Sequence, residues 1–257
     1  MRYKAERIQL NKVDLALQRG GSGPPLVYLH GTDGLSTWPE ILDRLAERYT
    51  VIAPSHPGFG DSPCPDDFDD VSDLAYLYLD LFDKMDLRDI RVLGHSLGGW
   101  VALECAVRNA TRVRDLTLIA PAGIHVSGLP KTDIFMIDPD EQARLAYADR
   151  RLGEEAAARA QADKYQDLAI RERIASARFG WNPRFHNPRL SRWLHRINVP
   201  SLIIWGDEDR IYSPEHGPAL QRLIPDAELV MIQACGHLPH VEQTNATLDA
   251  LYAFRTE

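Results

Sequence analysis

One short pattern, Gly94-His95-Ser96-Leu97-Gly98, constrains this chain more than any other feature. An apolar run from Ile90 to Leu93 precedes it and predicts a buried strand, and apolar residues at helical spacing follow it. A serine at the sharp corner between a strand and a helix presents its hydroxyl above the sheet edge, and the flanking glycines leave room for that corner. An ordinary glycine-rich turn with a buried serine is the alternative. The pattern predicts Ser96 as a nucleophile, with the backbone N–H of Leu97 facing a developing oxyanion.

Composition favours chemistry on a small molecule. The 257 residues carry a formal net charge of −8, which argues against a nucleic-acid surface because binding phosphates requires a basic face. Residues 1–20 hold no apolar block of signal-peptide length, and no run along the chain is long enough to cross a bilayer. We therefore expect a cytoplasmic protein with no nucleic-acid or membrane partner. The oligomeric state stays open.

Cysteine usage gives no sign of a metal or a disulfide framework. Cys64, Cys105 and Cys235 are odd in number and show no Cys-x-x-Cys spacing, so we expect them to be packing residues. Motifs for an organic cofactor are missing as well. The expected protein has no cofactor and no metal.

Short apolar runs, typical of buried strands, recur along the chain and alternate with helical spacing. The strand-like runs cover residues 13–17, 26–29, 50–53, 90–93, 116–120, 202–205 and 227–232. Amphipathic spacing predicts helices over Val71 to Met85 and Gln243 to Phe254. This alternation predicts an α/β fold with a parallel sheet flanked by helices.

The alternation stops between residues 122 and 197. That segment shows helical spacing over Glu141 to Lys164 and Leu168 to Phe179 and predicts no strand. A helical insertion between two parallel strands must lie outside the sheet, and the carboxyl edge, where ligands bind, is the expected place. We therefore predict a core made of residues 1–121 and 198–257, and a helical cap over Ser96 made of residues 122–197.

A serine hydroxyl is a poor nucleophile unless a base and an orienting acid support it. The turn Asp207 to Asp209 follows one predicted strand, and His237 follows the last one. Carboxyl ends of parallel strands share one edge, so these groups can meet Ser96 there, in the order Ser, Asp, His that accompanies such a corner. The loop after Leu29 predicts a second oxyanion donor, the backbone N–H of Thr32.

These motifs together resemble the α/β-hydrolase fold family over nearly the whole chain. The resemblance rests on His30-Gly31, the loop from His56 to Ser62, the Ser96 corner, the turn from Trp205 to Asp209, and Gly236-His237. It implies a mostly parallel eight-stranded sheet with a cap inserted after the sixth strand. It also implies Asp209 as the acid, with Asp207 a weaker candidate, and His237 as the base, with His240 structural. His30, at the start of the loop after Leu29, is itself expected to be a structural residue that holds this loop.

The expected function is that of a serine hydrolase that cleaves a carboxylic ester of a small molecule through an acyl-enzyme. Family members that use an aspartate nucleophile are disfavoured because position 96 is serine. A lactonase or a carbon–carbon bond hydrolase of ring-cleavage products is an alternative, although the latter usually has a longer glycine-rich loop and an asparagine before the nucleophile, where this chain has Thr32-Asp33 and His95. A ligand receptor that keeps the triad is a third possibility.

Overall fold

The computed structural model describes residues 3–254, apart from the side chains of residues 163–165. Within that range an eight-stranded sheet has the order β1-β2-β4-β3-β5-β6-β7-β8. Pairing is antiparallel for β1–β2 and β2–β4 and parallel for the remaining pairs, which confirms the predicted fold class. The strands are β1 (Tyr3–Leu10), β2 (Val13–Gly20), β3 (Pro25–Leu29), β4 (Thr50–Pro54), β5 (Ile90–His95), β6 (Val113–Ile119), β7 (Ser201–Gly206) and β8 (Ala227–Ile232).

Helices cover both faces of this sheet. They are α1 (Glu40–Leu45), α2 (Val71–Lys84), α3 (Leu97–Arg108), α4 (Pro139–Ala146), α5 (Arg150–Gln161), α6 (Asp163–Gly180), α7 (His216–Gln221), α8 (Pro239–Glu242) and α9 (Thr244–Ala253), with 3-10 turns at Leu190–Arg192 and Leu194–Arg196. No helix among the described residues has both the length and the apolar character needed to span a membrane.

The core has two layers, one on each side of the sheet. Along β3, Val27 and Leu29 pack into the layer that contains α2 and α3, whereas Leu26 and Tyr28 pack into the layer that contains α1 and α9. This alternation arises because successive side chains of a strand point to opposite faces. The three cysteines are free, and the two buried ones lie one in each layer, where they act as packing residues.

Strand β1 lies outside the seven runs that the sequence pattern located. It forms a hairpin with β2, from Tyr3 opposite Gly20 to Leu10 opposite Val13, at the edge of the sheet. Leu10 is its one buried residue. An edge strand with so little burial carries too weak an alternation to be recognised from sequence.

The helix boundaries predicted over residues 141–164 are wrong. The structure divides this segment into α4, α5 and the first residues of α6. The first break is set by Asp149, whose carboxylate accepts hydrogen bonds from the backbone N–H groups of Arg151 (2.7 Å) and Leu152 (3.2 Å). That N-cap begins a new helix.

The segment from 122 to 197, here called the insertion, lies between β6 and β7 and contacts loops at the carboxyl edge. Ala146 O accepts a hydrogen bond from His237 N (2.8 Å), in the loop after β8. Arg178 donates to Pro65 O (2.9 Å), beyond β4, and Thr132 N donates to Ile211 O (2.8 Å), beyond β7. The insertion therefore lies across the edge where the predicted site is. Its action as a cap stays a prediction.

Glu172 of α6 faces the loop after β3 and is 7% exposed. Its carboxyl packs so closely on Gly34 that a Cβ there would lie 2.2 Å from Oε1. Burial, and then the negative charge of Asp33, raise the pKa of Glu172 to about 7, and the Gly60 backbone N–H and Arg171 oppose this by less. The insertion thus places a carboxyl where ionisation is costly.

We expect Glu172→Gln to stabilise the protein at pH 8 and not at pH 4. The unfolded chain releases this proton near the ordinary pKa of 4.5 and the folded chain holds it to about 7, so stability is lost as pH rises through that window. The full cost above pH 7 is about 3 kcal/mol. Tm measured at both pH values should show a gap between variant and wild type that widens as pH rises.

Glu47→Gln is the control, because Glu47 is exposed and lies outside this contact. Its Tm difference from wild type should be the same at pH 4 and pH 8. An equally constant difference for Glu172→Gln would contradict the burial argument.

Candidate active site

Ser96 occupies a strained corner between β5 and α3. Its φ of +50° and ψ of −112° lie outside the regions that L-residues ordinarily adopt. Ser96 N donates to Ile119 O (3.0 Å), and Ser96 O accepts from Trp100 N and Ala122 N (3.0 Å each). These bonds to β6, to α3 and to the start of the insertion hold the corner in a conformation that is costly in isolation.

The glycines on either side of Ser96 are required by close backbone approaches. A Cβ on Gly94 would lie 2.6 Å from Gly98 O, and a Cβ on Gly98 would lie 2.1 Å from Leu29 O, at the end of β3. Side chains at either position would push α3 away from the sheet. The spacing of the motif is therefore set by the contact of α3 with β5 and β3.

Three side chains from distant parts of the chain form one hydrogen-bonded series. His237 Nε2 lies 3.0 Å from Ser96 Oγ, and His237 Nδ1 lies 2.8 Å from Asp209 Oδ2. The other carboxylate oxygen of Asp209 accepts from the backbone N–H groups of Ile211 (2.8 Å) and Tyr212 (3.0 Å). All three members are buried, so both the carboxylate and the imidazole are fixed in orientation.

The two acidic candidates of the sequence have different surroundings. Asp209 contacts the imidazole of His237, whereas Asp207 Oδ1 accepts a long hydrogen bond (3.4 Å) from Cys235 N. Each side chain follows β7, yet the turn points only Asp209 toward His237. The structure thus brings together Ser96, Asp209 and His237.

The two predicted oxyanion donors flank the same corner. Leu97 is the first residue of α3, so its N–H has no acceptor within the helix. Thr32 lies in a turn closed by a hydrogen bond from Gly34 N to Gly31 O (3.2 Å). A Cβ on Gly31 would lie 2.6 Å from His95 Nδ1, so this turn packs directly on the residue that precedes Ser96.

A pair of buried histidines supports that turn from below. His30 Nε2 accepts from His56 N (2.9 Å), so its Nδ1–H donates to Gly31 O (2.7 Å). His56 Nε2–H donates to His30 O (3.0 Å), and its Nδ1 accepts from the hydroxyl of Tyr78. Burial lowers the pKa of His30 to about 4 and that of His56 well below its usual range, so both rings are neutral. His30 thus has the structural role that the sequence predicts.

His95 makes a contact with the base that no sequence pattern predicts. Its Nε2–H donates to His237 O (3.1 Å), and its ring lies 4.4 Å from that of His240. Burial lowers the pKa of His95 to about 4 and that of His240 well below its usual range. The motif shows that His95 precedes Ser96, but no sequence spacing predicts a contact between residues 95 and 237.

The geometry supplies the components of nucleophilic catalysis. A hydroxyl, an imidazole within hydrogen-bond distance and a carboxylate bonded to the imidazole form one series. In other proteins such a constellation performs acyl transfer.

Comparisons with known proteins agree with this fold. Lipase 1 of Psychrobacter immobilis is 26% identical over 91% of this chain and 78% of its own length. A 2-hydroxymuconate semialdehyde hydrolase of Pseudomonas sp. (strain CF600) is 29% identical over 88% of this chain and 84% of its own. The crystal structure of the esterase RhEst1 from Rhodococcus sp. ECU1013 superposes with a TM-score of 0.80 at 23% identity, covering 100% of this chain and 99% of that one. Residues 26–250 match the family described as the alpha/beta hydrolase family, and the chain belongs to that family.

Proposed function

We propose that this protein hydrolyses a carboxylic ester of a small molecule through an acyl-enzyme on Ser96. The observation that carries the proposal is the buried series from Ser96 through His237 to Asp209, with separations of 3.0 and 2.8 Å. Both lie within the range that proton transfer between positioned groups requires.

The first half of the reaction acylates the serine. Ser96 Oγ attacks the ester carbonyl carbon while His237 Nε2 takes the hydroxyl proton, and the carbonyl oxygen becomes an oxyanion. Asp209 accepts the Nδ1–H of the ring and stabilises the imidazolium that forms. His237 then donates its Nε2 proton to the departing alcohol as the carbon–oxygen bond breaks.

The second half uses the same groups on water. His237 Nε2 removes a proton from a water molecule that attacks the acyl carbon, and returns it to Ser96 Oγ as the acid leaves. In both halves the N–H groups of Leu97 and Thr32 donate to the oxyanion. Loss of one such donor typically raises the barrier by about 3 kcal/mol.

A second candidate is hydrolysis of a carbon–carbon bond in a ring-cleavage product, since one relative is named as a 2-hydroxymuconate semialdehyde hydrolase. Lactone hydrolysis would use the same residues. We favour an ester because this chain has Thr32-Asp33 in the loop after β3 and His95 before the nucleophile, where carbon–carbon bond hydrolases usually have a longer glycine-rich loop and an asparagine. A receptor that retains the triad would bind its ligand with slow or single turnover.

We expect Ser96→Ala to lower kcat/KM for p-nitrophenyl butyrate by at least about 10³-fold, because the variant lacks the attacking oxygen. Its Tm should stay within a few degrees of wild type. The control is Ser127→Ala, which removes an exposed hydroxyl in the insertion and should leave the rate unchanged. Wild-type activity in Ser96→Ala would refute the nucleophile assignment.

Asp209→Asn should lower kcat by about 10³- to 10⁴-fold with little change in KM. The amide NH₂ would donate to His237 Nδ1 and hold the ring as the tautomer that cannot accept a proton at Nε2. Asp207→Asn is the matched control and should stay within about tenfold of wild type, since Asp207 bonds Cys235 N instead. A larger loss in Asp207→Asn than in Asp209→Asn would reverse the assignment of the acid.

Parallel assays decide between the reactions that this site allows. We expect multiple turnovers on p-nitrophenyl esters of two to eight acyl carbons, at kcat/KM at least tenfold above that for lactones and for a 2-hydroxy-6-oxodienoate. Product formation measured by absorbance compares the three substrates, with Ser96→Ala as the blank. Preference for the dienoate would select the carbon–carbon reaction, and one slow turnover with a raised Tm would select the receptor.

A further inference from the structure

Glu242, the last residue of α8, joins the loop that carries His237 to the insertion. Its carboxylate accepts hydrogen bonds from three backbone N–H groups: Gly236 (2.7 Å), Asp149 (2.5 Å) and Ala148 (3.3 Å). Gly236 immediately precedes His237, and the other two residues lie in the turn between α4 and α5. One side chain therefore satisfies backbone donors on both sides of the boundary between the insertion and the core.

The same boundary is tight at the backbone level. His237 N donates to Ala146 O (2.8 Å), and a Cβ on Gly236 would lie 2.5 Å from that same oxygen. Arg210, which follows the acid in sequence, donates to Arg144 O (3.0 Å) and to Tyr147 O. The turn between α4 and α5 is thus bonded to the loops of both the acid and the base.

The backbone of His237 is held from two directions. Its N–H donates to Ala146 in the insertion, and its carbonyl accepts from the ring of His95, beside the nucleophile. Without the carboxylate of Glu242, the insertion would lose two backbone hydrogen bonds and the loop of His237 would lose one. All three are made to a charged acceptor, and such bonds are stronger than bonds between neutral groups.

We propose that Glu242 is a positioning residue that couples the seating of the α4–α5 turn to the placement of His237. When that turn is packed against the core, His237 Nε2 lies within hydrogen-bond distance of Ser96 Oγ. When the turn moves away from the core, His237 loses this position. This proposal rests on the proposed function for its kinetic consequence, but the coupling itself is a property of the fold.

The test is Glu242→Gln, with Glu208→Gln as the matched control. The amide keeps the size of the side chain but places an NH₂ where backbone N–H donors converge. Glu208 is exposed in the acid turn, so its variant also removes one negative charge near the site. We expect Glu242→Gln to lower kcat for p-nitrophenyl butyrate by about 10- to 100-fold with KM changed less than threefold, and Glu208→Gln to stay within twofold of wild type.

Amide hydrogen exchange supplies a readout that needs no activity. In Glu242→Gln, exchange should rise together at residues 146–149 and 235–238, while it stays unchanged in β5 and α3. Glu242→Asp, which keeps the charge but is too short for all three donors, should give a smaller change in the same direction and serves if the glutamine variant folds poorly.

Faster exchange in only one of the two segments, or unchanged kcat despite faster exchange in both, would overturn the proposal. If wild-type protein shows no esterase activity at all, the proposed function fails while the exchange experiment still decides the coupling. If wild type is active and both Glu242 variants retain its kcat, the positioning role fails and the proposed function stands.

Discussion

The active-site geometry depends on the close approach of α3 to the carboxyl ends of β3 and β5. This approach needs glycine at both 94 and 98. It also leaves Ser96 at a corner with positive φ, a strain that a longer connection between β5 and α3 would have avoided. The cost of that conformation is met by backbone bonds from Ser96 to β6, to α3 and to the start of the insertion. The position of the nucleophile is therefore a consequence of the packing around it, because a serine without these contacts would avoid this backbone conformation.

Around this corner, the base is held mainly through its backbone. The ring of His95 bonds the carbonyl of His237, and the insertion bonds its N–H, so the imidazole reaches Ser96 and Asp209 from a fixed origin. Burial keeps the neighbouring rings of His95 and His240 neutral. These rings form hydrogen bonds without adding a positive charge beside the base.

Two buried or half-buried carboxyl groups connect the insertion to the core, and their environments are opposite. Glu242 accepts hydrogen bonds from three backbone N–H groups. Glu172 is buried against Gly34 and faces the negative Asp33, and its burial and then this charge make its ionisation costly. Glu242 therefore holds the insertion against the loop of the base. Ionisation of Glu172, by contrast, is unfavourable where the insertion contacts the loop that carries Thr32.

The sequence by itself determined the fold class, most of the strands and the residues that meet at the site, because each is written in local patterns: apolar runs, a glycine-flanked serine, and an acid and a histidine just after two strands. It failed for β1, whose edge position leaves little burial to read, and for the break at Asp149, where a side-chain cap overrides helical spacing. Local spacing left both Asp207 and Asp209 open as the acid, the family resemblance favoured Asp209, and the tertiary structure places Asp209 against the imidazole. Only the tertiary structure decided that the His95 ring donates a hydrogen bond to His237 and that Glu242 accepts hydrogen bonds from the insertion. Those outcomes depend on contacts between residues distant in sequence, and no local spacing encodes the direction in which a turn points its side chain.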